Sequence, residues 1–281
     1  GGGFLSGPPA STVIGSSCFM PYLFRNQITA VNQDTFQTGI NGIYSTYGVN
    51  MAQWNFSPEL VAKDFGGALN ISGGIPYSFD GLKATENNFF VFPDNVTCSV
   101  STTGGSMAPG TYYYQVIYGY VDNQGNAYRS APSLTVSSTI DSIGSSVVIQ
   151  GPTLRLTLKG SPNFVTYQLY RWSANQQTYY ATSPPNVQDT TASSRDFWIY
   201  QDTKADASII GNEILYTNGG VVENISPPAT GIMALFDSRL WLVDAEDQNL
   251  FWYSKPVIEA TPIEMSDLFT YYVSPNAGTQ N

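Results

Sequence analysis

The chain contains no histidine. That removes the commonest general base, the commonest zinc ligand and every Ser-His or Cys-His nucleophile arrangement. Charge is scarce too, with Asp, Glu, Lys and Arg making up 11% of 281 residues, against about a quarter in ordinary soluble domains. Acids outnumber bases by 21 to 11, for a formal charge of −10. The bases are scattered (Arg25, Lys63, Lys83, Arg129, Arg155, Lys159, Arg171), so no basic stripe exists to displace counterions from phosphates. Specific nucleic-acid binding and attraction to anionic membranes are therefore disfavoured. The two cysteines, Cys18 and Cys98, are too few for a disulfide framework and are expected as free buried thiols. No run approaches the roughly 18 apolar residues of a membrane helix, so no membrane insertion is expected. No signal peptide is expected. Beginning with Gly-Gly-Gly and ending Asn-Ala-Gly-Thr-Gln-Asn, it is expected to be processed or an ordered segment of something longer.

What the chain has is tyrosine and turns. Aromatics make up 14%, and Gly, Pro, Ser, Thr, Asn and Gln abound. Low charge with many turns fits an all-β protein whose uncharged polar surface suits lasting contact with other protein. The clearest stretch is Gly110 to Ser133, two alternating runs about the polar turn Asp122-Asn123-Gln124-Gly125-Asn126. Tyr112, Tyr114, Val116, Tyr118 and Tyr120 share one strand face, and Tyr113, Gln115, Ile117 and Gly119 share the other. Such period-2 patterning bounded by Asn, Asp and Gly reads as a β-hairpin covered on both faces.

Strands are expected at regular spacing around it: Thr97–Thr102, Tyr112–Val121, Ala127–Ser137, Val147–Ile149, Arg155–Leu158, Thr166–Trp172, Thr178–Thr182 and Phe197–Gln201. In the run from Phe164 to Trp172, Val165, Tyr167, Leu169 and Arg171 face one way. Seven or so strands in about 115 residues is what an immunoglobulin-like or fibronectin-III-like sandwich requires.

Outside 96–212 the texture differs. Residues 1–12 form a Gly/Pro/Ser-rich arm. Ser17 to Val31 reads as two short strands about Arg25-Asn26, and Gly39 to Tyr47 as another. Met51 to Phe65 is the one credible short helix, after Ser57-Pro58. Residues 71–93 hold a Gly-Gly turn, an Asp80-Gly81 turn and an aromatic strand, Phe89 to Phe92. Gly231 to Ser254 reads as three strands with turns at Asp237-Ser238 and Glu246-Asp247-Gln248-Asn249. The segment from Tyr22 to Val31 aligns without gaps on Ala234 to Val243, sharing Leu-Phe, a two-residue turn, an aliphatic residue two places beyond it and a terminal Val. Repeated hairpin units of this kind point to propeller blades. The segments 13–95 and 213–281 then form one body, enough for three or four blades at about 40 residues each. Either further blades lie beyond Asn281, or the body is not a closed propeller.

Catalytic candidates are thin. A glycosidase needs two carboxylates across a cleft, and Asp64, Asp80, Glu86, Glu223, Asp244, Glu246 and Asp247 are available, none in a recognisable motif. The oxygen-rich Asp122–Asn126 run lacks the bidentate Glu of an EF-hand and reads as a turn. Glycosylation triplets at Asn55, Asn70, Asn95 and Asn224 are expected by chance in an Asn/Ser-rich chain. Tyr112, Tyr113, Tyr114, Trp172, Tyr179, Tyr180 and Trp198 are candidates for a sugar-stacking platform, with sandwich core as the plainer role. No catalytic residue, cofactor-binding residue, metal ligand or cofactor is expected.

Several segments together resemble a known class: Ile75-Pro76-Tyr77-Ser78-Phe79-Asp80-Gly81, Gly110-Thr111-Tyr112, Asp122 to Gly125, Arg129 to Ser133, Leu215 to Ala229, Asp237 to Leu242 and Leu250 to Pro256. They resemble virion structural proteins of tailed bacteriophages, in particular tail hub or nozzle proteins of short-tailed phages. The resemblance covers most of residues 70–270 and rests on turns and strand edges. It implies an all-β fold, with an immunoglobulin- or fibronectin-III-like β-sandwich (96–212) inserted into a β-propeller-like body, closed or incomplete (13–95 and 213–281). It also implies a non-enzymatic, ring-forming component around the DNA exit channel, in contact with copies of itself and with neighbouring tail or portal subunits. Such a protein is located in the phage tail after assembly in the host cytoplasm. An acidic lumen suits passing DNA, which it repels. The alternative is a carbohydrate-binding adhesin or receptor-recognition module.

Overall fold

The computed structural model describes residues 18–24, 27–33 and 41–44 as backbone strands, and residues 61–160, 164–189, 196–258 and 261–274 in full. In chain order the strands are β1 (Cys18–Phe24), β2 (Gln27–Gln33), β3 (Asn41–Tyr44), β4 (Ala62–Phe65), β5 (Ala68–Ile71), β6 (Tyr77–Phe79) and β7 (Ala84–Glu86). There follow β8 (Thr97–Ser101), β9 (Gly110–Val121), β10 (Ala127–Arg129), β11 (Val136–Ile140), β12 (Ser146–Pro152), β13 (Thr166–Ser173), β14 (Tyr180–Ala181), β15 (Asn186–Val187) and β16 (Phe197–Asp202). The last are β17 (Ile232–Phe236), β18 (Arg239–Val243), β19 (Leu250–Tyr253) and β20 (Thr270–Tyr272). Helix is confined to two 3₁₀ turns, Asp206–Ser208 and Tyr216–Gly219, among the described residues. The fold is all-β, as expected.

The chain divides into two compact units. One comprises Gly1–Asn87, Pro227–Ile263 and Phe269–Asn281, and the other Asn88–Ser226 and Glu264–Leu268.

In the second unit, β9 is the centre of a sheet ordered β10-β9-β13-β14, with β11 also on β9 and β15 also on β13. A three-stranded sheet, β16-β12-β8, contributes to the same core. The alternation in β9 does what its sequence dictates: Tyr112, Tyr114, Val116, Tyr118 and Tyr120 are all buried. They pack with Val147 and Ile149 of β12, Leu169 of β13 and Trp198 of β16. Trp198 stacks on Tyr167 at 4.2 Å, and Gly151 opposite makes room for it, since a Cβ there would come within 2.2 Å of the indole.

Three strand expectations are corrected. Ala127–Ser137 is not continuous, because Pro132 has no N–H to give the ladder. The chain detours at Ala131-Pro132, and the hydroxyls of Ser130 and Ser133 accept hydrogen bonds from the Tyr118 and Val116 N–H groups (2.9 and 3.0 Å). Phe89–Phe92 is not a strand either: Asn88 turns the chain at positive φ, Phe89 enters the core, and Phe90, Val91 and Phe92 stay exposed ahead of Pro93. Arg155–Leu158 forms a loop with Leu156 80% exposed. Just before it, the buried Gln188 amide spans the Leu154 backbone, accepting from its N–H and donating to its carbonyl (both 3.0 Å).

The first unit contains three separate antiparallel sheets among its described residues: β1-β2-β3, β4-β5-β6-β7 and β17-β18-β19-β20. The matched segments adopt the same hairpin register. Leu23 pairs with Ile28 and Phe24 with Gln27, as Leu235 pairs with Leu240 and Phe236 with Arg239. Asp237 and Ser238 both take positive φ (50° and 55°), as a type I′ turn requires. The helix expected over Met51–Phe65 is overturned at its end, where Ala62–Phe65 is strand β4; residues 51–60 lie outside the described residues.

Candidate functional site

The residues singled out in sequence do not converge. Tyr112, Tyr114 and Trp198 are core. Tyr113 meets Trp172 edge-on (5.4 Å, 75°), which leaves no common plane for a sugar ring. Tyr179 packs on the cluster of Ile117, Tyr170, Ala181 and Leu215.

Among the carboxylates, Asp64, Glu223 and Glu246 are exposed, and Glu86 is buried in β7. Burial and the Glu86 charge raise the Tyr77 phenol. Asp80 accepts from the Leu82 and Lys83 N–H groups, and Asp244 from those of Glu246 and Asp247, so both serve as turn braces. Asp122 does the same for Gln124 and Asn126. Among the described residues no three Cys, Asp or Glu side chains gather as a metal site would need. Asn70 and Asn224 are buried, and Asn95 is exposed. Cys98 is free but only half-buried; burial raises its thiol pKa, with a Ser138 hydrogen bond opposing. The side chain of Cys18 and residue Asn55 lie outside the described residues.

One buried charge cluster is well built. Arg171, fully buried at the end of the core-facing row of β13, bridges Asp202 (2.6 Å) and Asp206 (2.9 Å) and donates to the Lys204 carbonyl. Tyr114 donates to Asp202, and Ser173 and Asn175 donate to Asp206. Burial pulls the guanidinium pKa down, but Asp202, Tyr114 and Asp206 outweigh it and leave it raised. Burial, then the Asp202 charge, pushes the Tyr114 phenol up. Every carboxylate here is tied to a donor, so the cluster anchors the 202–206 segment to β13. A cavity of about 590 Å³ is lined by Trp198 and Tyr167 together with Asp189 and Asp196. Residues 190–195 between those two acids lie outside the described residues.

The feature that stands out was not singled out in the sequence. Cross-strand pairing puts Ile232, Ala234 and Phe236 of β17 on one face with Val243, Trp241 and Arg239 of β18. Phe251 and Tyr253 of β19 and Tyr271 of β20 continue that face. Trp241 stacks on Tyr253 (4.8 Å), Tyr253 on Phe269 (5.4 Å), and the Arg239 guanidinium lies over both Tyr253 and Phe269 (5.3 and 5.6 Å). The opposite face carries the buried Met233, Leu240 and Leu242. On the aromatic face Phe236 is 71% exposed, Tyr271 61% and Ile232 59%. The signal was present as unbroken apolar runs, Ile232–Phe236, Leu240–Val243 and Leu250–Tyr253, which mark strands covered on both sides. No family model matches the chain, and neither a curated protein nor a solved structure matches it.

Proposed function

We propose that this chain is a structural, non-enzymatic component of a tailed-phage virion, a ring-forming hub, nozzle or adaptor protein around the DNA exit channel. The observation that carries the reading is the make-up of the first unit. Three small antiparallel sheets, drawn from both ends of the chain and two of them sharing one hairpin register, flank a long inserted segment. Four-stranded antiparallel sheets of this kind are propeller blades in the proposed arrangement. The two sheets over one core in the inserted unit take the immunoglobulin- or fibronectin-III-like role. The charge of −10 suits a lumen that lets DNA pass without holding it.

Mass spectrometry of purified virions from the encoding genome, with electron microscopy of the purified chain, tests this. Peptides at multiple copies per particle and ring-shaped assemblies are expected. A chain missing from the particle overturns the reading.

The row Trp241–Tyr253–Phe269 favours a second reading, a glycan-binding adhesin surface. Against it, the aliphatic Ile232 and Val243 share the face, and a sugar needs polar groups that Arg239 alone supplies poorly. A glycan array probed with the purified chain separates the two.

A further inference from the structure

We infer that Asn218-Gly219 is a site at which the chain modifies itself, Asn218 losing ammonia through a succinimide to become aspartate or isoaspartate. The inference does not depend on the virion reading. The chemistry needs a carboxamide followed by a residue whose backbone nitrogen is open to attack, and glycine, without a Cβ, hinders that nitrogen least and turns most freely. The sequence has two such pairs, Asn41-Gly42 and Asn218-Gly219.

The fold treats the two pairs differently. Asn41 and Gly42 lie in β3, paired with Gln33 and Asn32 of β2, so their backbone is held extended by a ladder. Asn218 and Gly219 end the 3₁₀ turn Tyr216–Gly219, and both are exposed. The N-cap of that turn is Leu215, whose side chain accepts no hydrogen bond, and its C-cap is Gly220 at φ 79°. None of the four turn residues is buried. A short 3₁₀ turn has poorer hydrogen-bond geometry than an α-helix, and exposed segments with few buried contacts open at little free-energy cost. A Cβ added at Gly219 would meet nothing within 4 Å, so the space around its nitrogen is open.

In the step itself, the Gly219 nitrogen gives up its proton to solvent hydroxide and attacks Cγ of Asn218. The Cγ–Nδ2 bond breaks and ammonia leaves. Water then opens the cyclic imide at either carbonyl, and no oxidant or reductant takes part. Opening at the main-chain carbonyl gives isoaspartate, whose backbone runs through the former side chain and is one carbon longer. That lengthens the link spanned by the Gly220 N–H to Thr217 carbonyl bond (3.2 Å) and replaces the Asn218 donor to the Thr178 hydroxyl (3.1 Å). The same turn sets Tyr216, whose hydroxyl donates to the Ser130 carbonyl and accepts from the Asn224 N–H, so the change loosens the way the chain leaves the second unit.

The test is peptide mapping of the purified full chain aged in mildly alkaline buffer, reading the exchange of amide for acid by mass and isoaspartate by enzymatic methylation. The peptide holding Asn218 is expected to convert well ahead of the one holding Asn41, and the two rates are expected to converge in denaturant. Gly219→Ala, at a position without positive φ, should fold normally and slow conversion roughly tenfold, a rise of about 1.4 kcal/mol in the barrier. Aged wild type should melt lower than fresh protein, and aged Gly219→Ala should not. An Asn218 that stays intact in the native chain while the denatured chain converts overturns the inference. Native conversion of Asn41 ahead of Asn218 overturns it as well.

Discussion

Two sheets of one unit, β4–β7 and β17–β20, share a plan and differ in how far they are buried. Both are four-stranded antiparallel meanders, and backbone hydrogen bonds between Gly74 and Thr230 link the segments they belong to. In β4–β7, Leu69, Ile71, Phe79 and Ala84 are buried on one face, and Ala68, Asn70, Ser78 and Thr85 on the other. In β17–β20, burial is confined to the side of Met233, Leu240 and Leu242. The polarity of each sheet's second face follows. Where β5, β6 and β7 are buried on both sides, the second face carries a neutral ladder: Ser78 donates to Asn70, Asn87 donates to Ser78, and the Asn70 amide donates to the Phe65 carbonyl (2.9 Å). The open sheet places rings there, which gain only when something covers them. A face sealed within the chain can carry a specific polar network, whereas the open face carries apolar area.

The largest expected effect is at the sealed sheet. Phe79→Ala should cost about 3–5 kcal/mol in urea unfolding of the first unit, the price of a cavity beside its cross-strand neighbours Leu69 and Ala84. A loss under about 1 kcal/mol would show that this sheet relaxes and is not the closed layer described.

Next is the polar ladder. Asn70→Ala leaves the buried Ser78 hydroxyl without its acceptor and removes a donor to the Phe65 carbonyl, for an expected loss of about 1–3 kcal/mol. An unchanged unfolding midpoint would mean that water reaches the ladder and that this face is less sealed than its burial indicates.

How far the sequence reached depends on whether a feature is set by period or by layers. Alternation in β9 is local, so the buried tyrosine row was legible from Tyr112 to Tyr120. The turn chemistry that pairs Leu23-Phe24 with Leu235-Phe236 is local as well, and the shared register was legible. The broken partner strand was not, because two serine hydroxyls stand in for ladder contacts around Pro132, a substitution that β propensity does not register. Leu156 and Leu158 looked like strand residues, yet nothing in their spacing says that no layer waits to cover them. Arg171 was read correctly as sharing a face with Leu169, but its pairing with Asp202 joins residues far apart in sequence. The aromatic face of β17–β20 escaped for the same reason: apolar runs call for two covers, and only packing tells which cover is missing.

A smaller effect concerns the turn that aligns the open sheet. Ser238 sits at φ 55°, a region that costs an L-residue other than Gly, Asn or Asp about 1–2 kcal/mol. Ser238→Gly relieves that cost and gives part of it back as chain entropy in the unfolded state. A net gain of roughly 0.5–1 kcal/mol is expected in thermal unfolding. A loss instead would show that the Ser238 side chain contributes to the turn.

The smallest effect is the sharpest comparison. Phe236→Ala makes the same change as Phe79→Ala but on the uncovered face, where the ring is 71% exposed. In dilute protein it should alter stability by no more than about 0.5 kcal/mol. The self-association proposed above would add a concentration-dependent term, because a partner that binds only the folded chain raises its melting temperature by mass action. Wild-type melting should therefore climb with protein concentration, while Phe236→Ala should climb less or not at all. The two curves meet at high dilution and part as concentration rises. Parallel curves would place Phe236 outside any self-contact and leave the two sheets differing in burial alone.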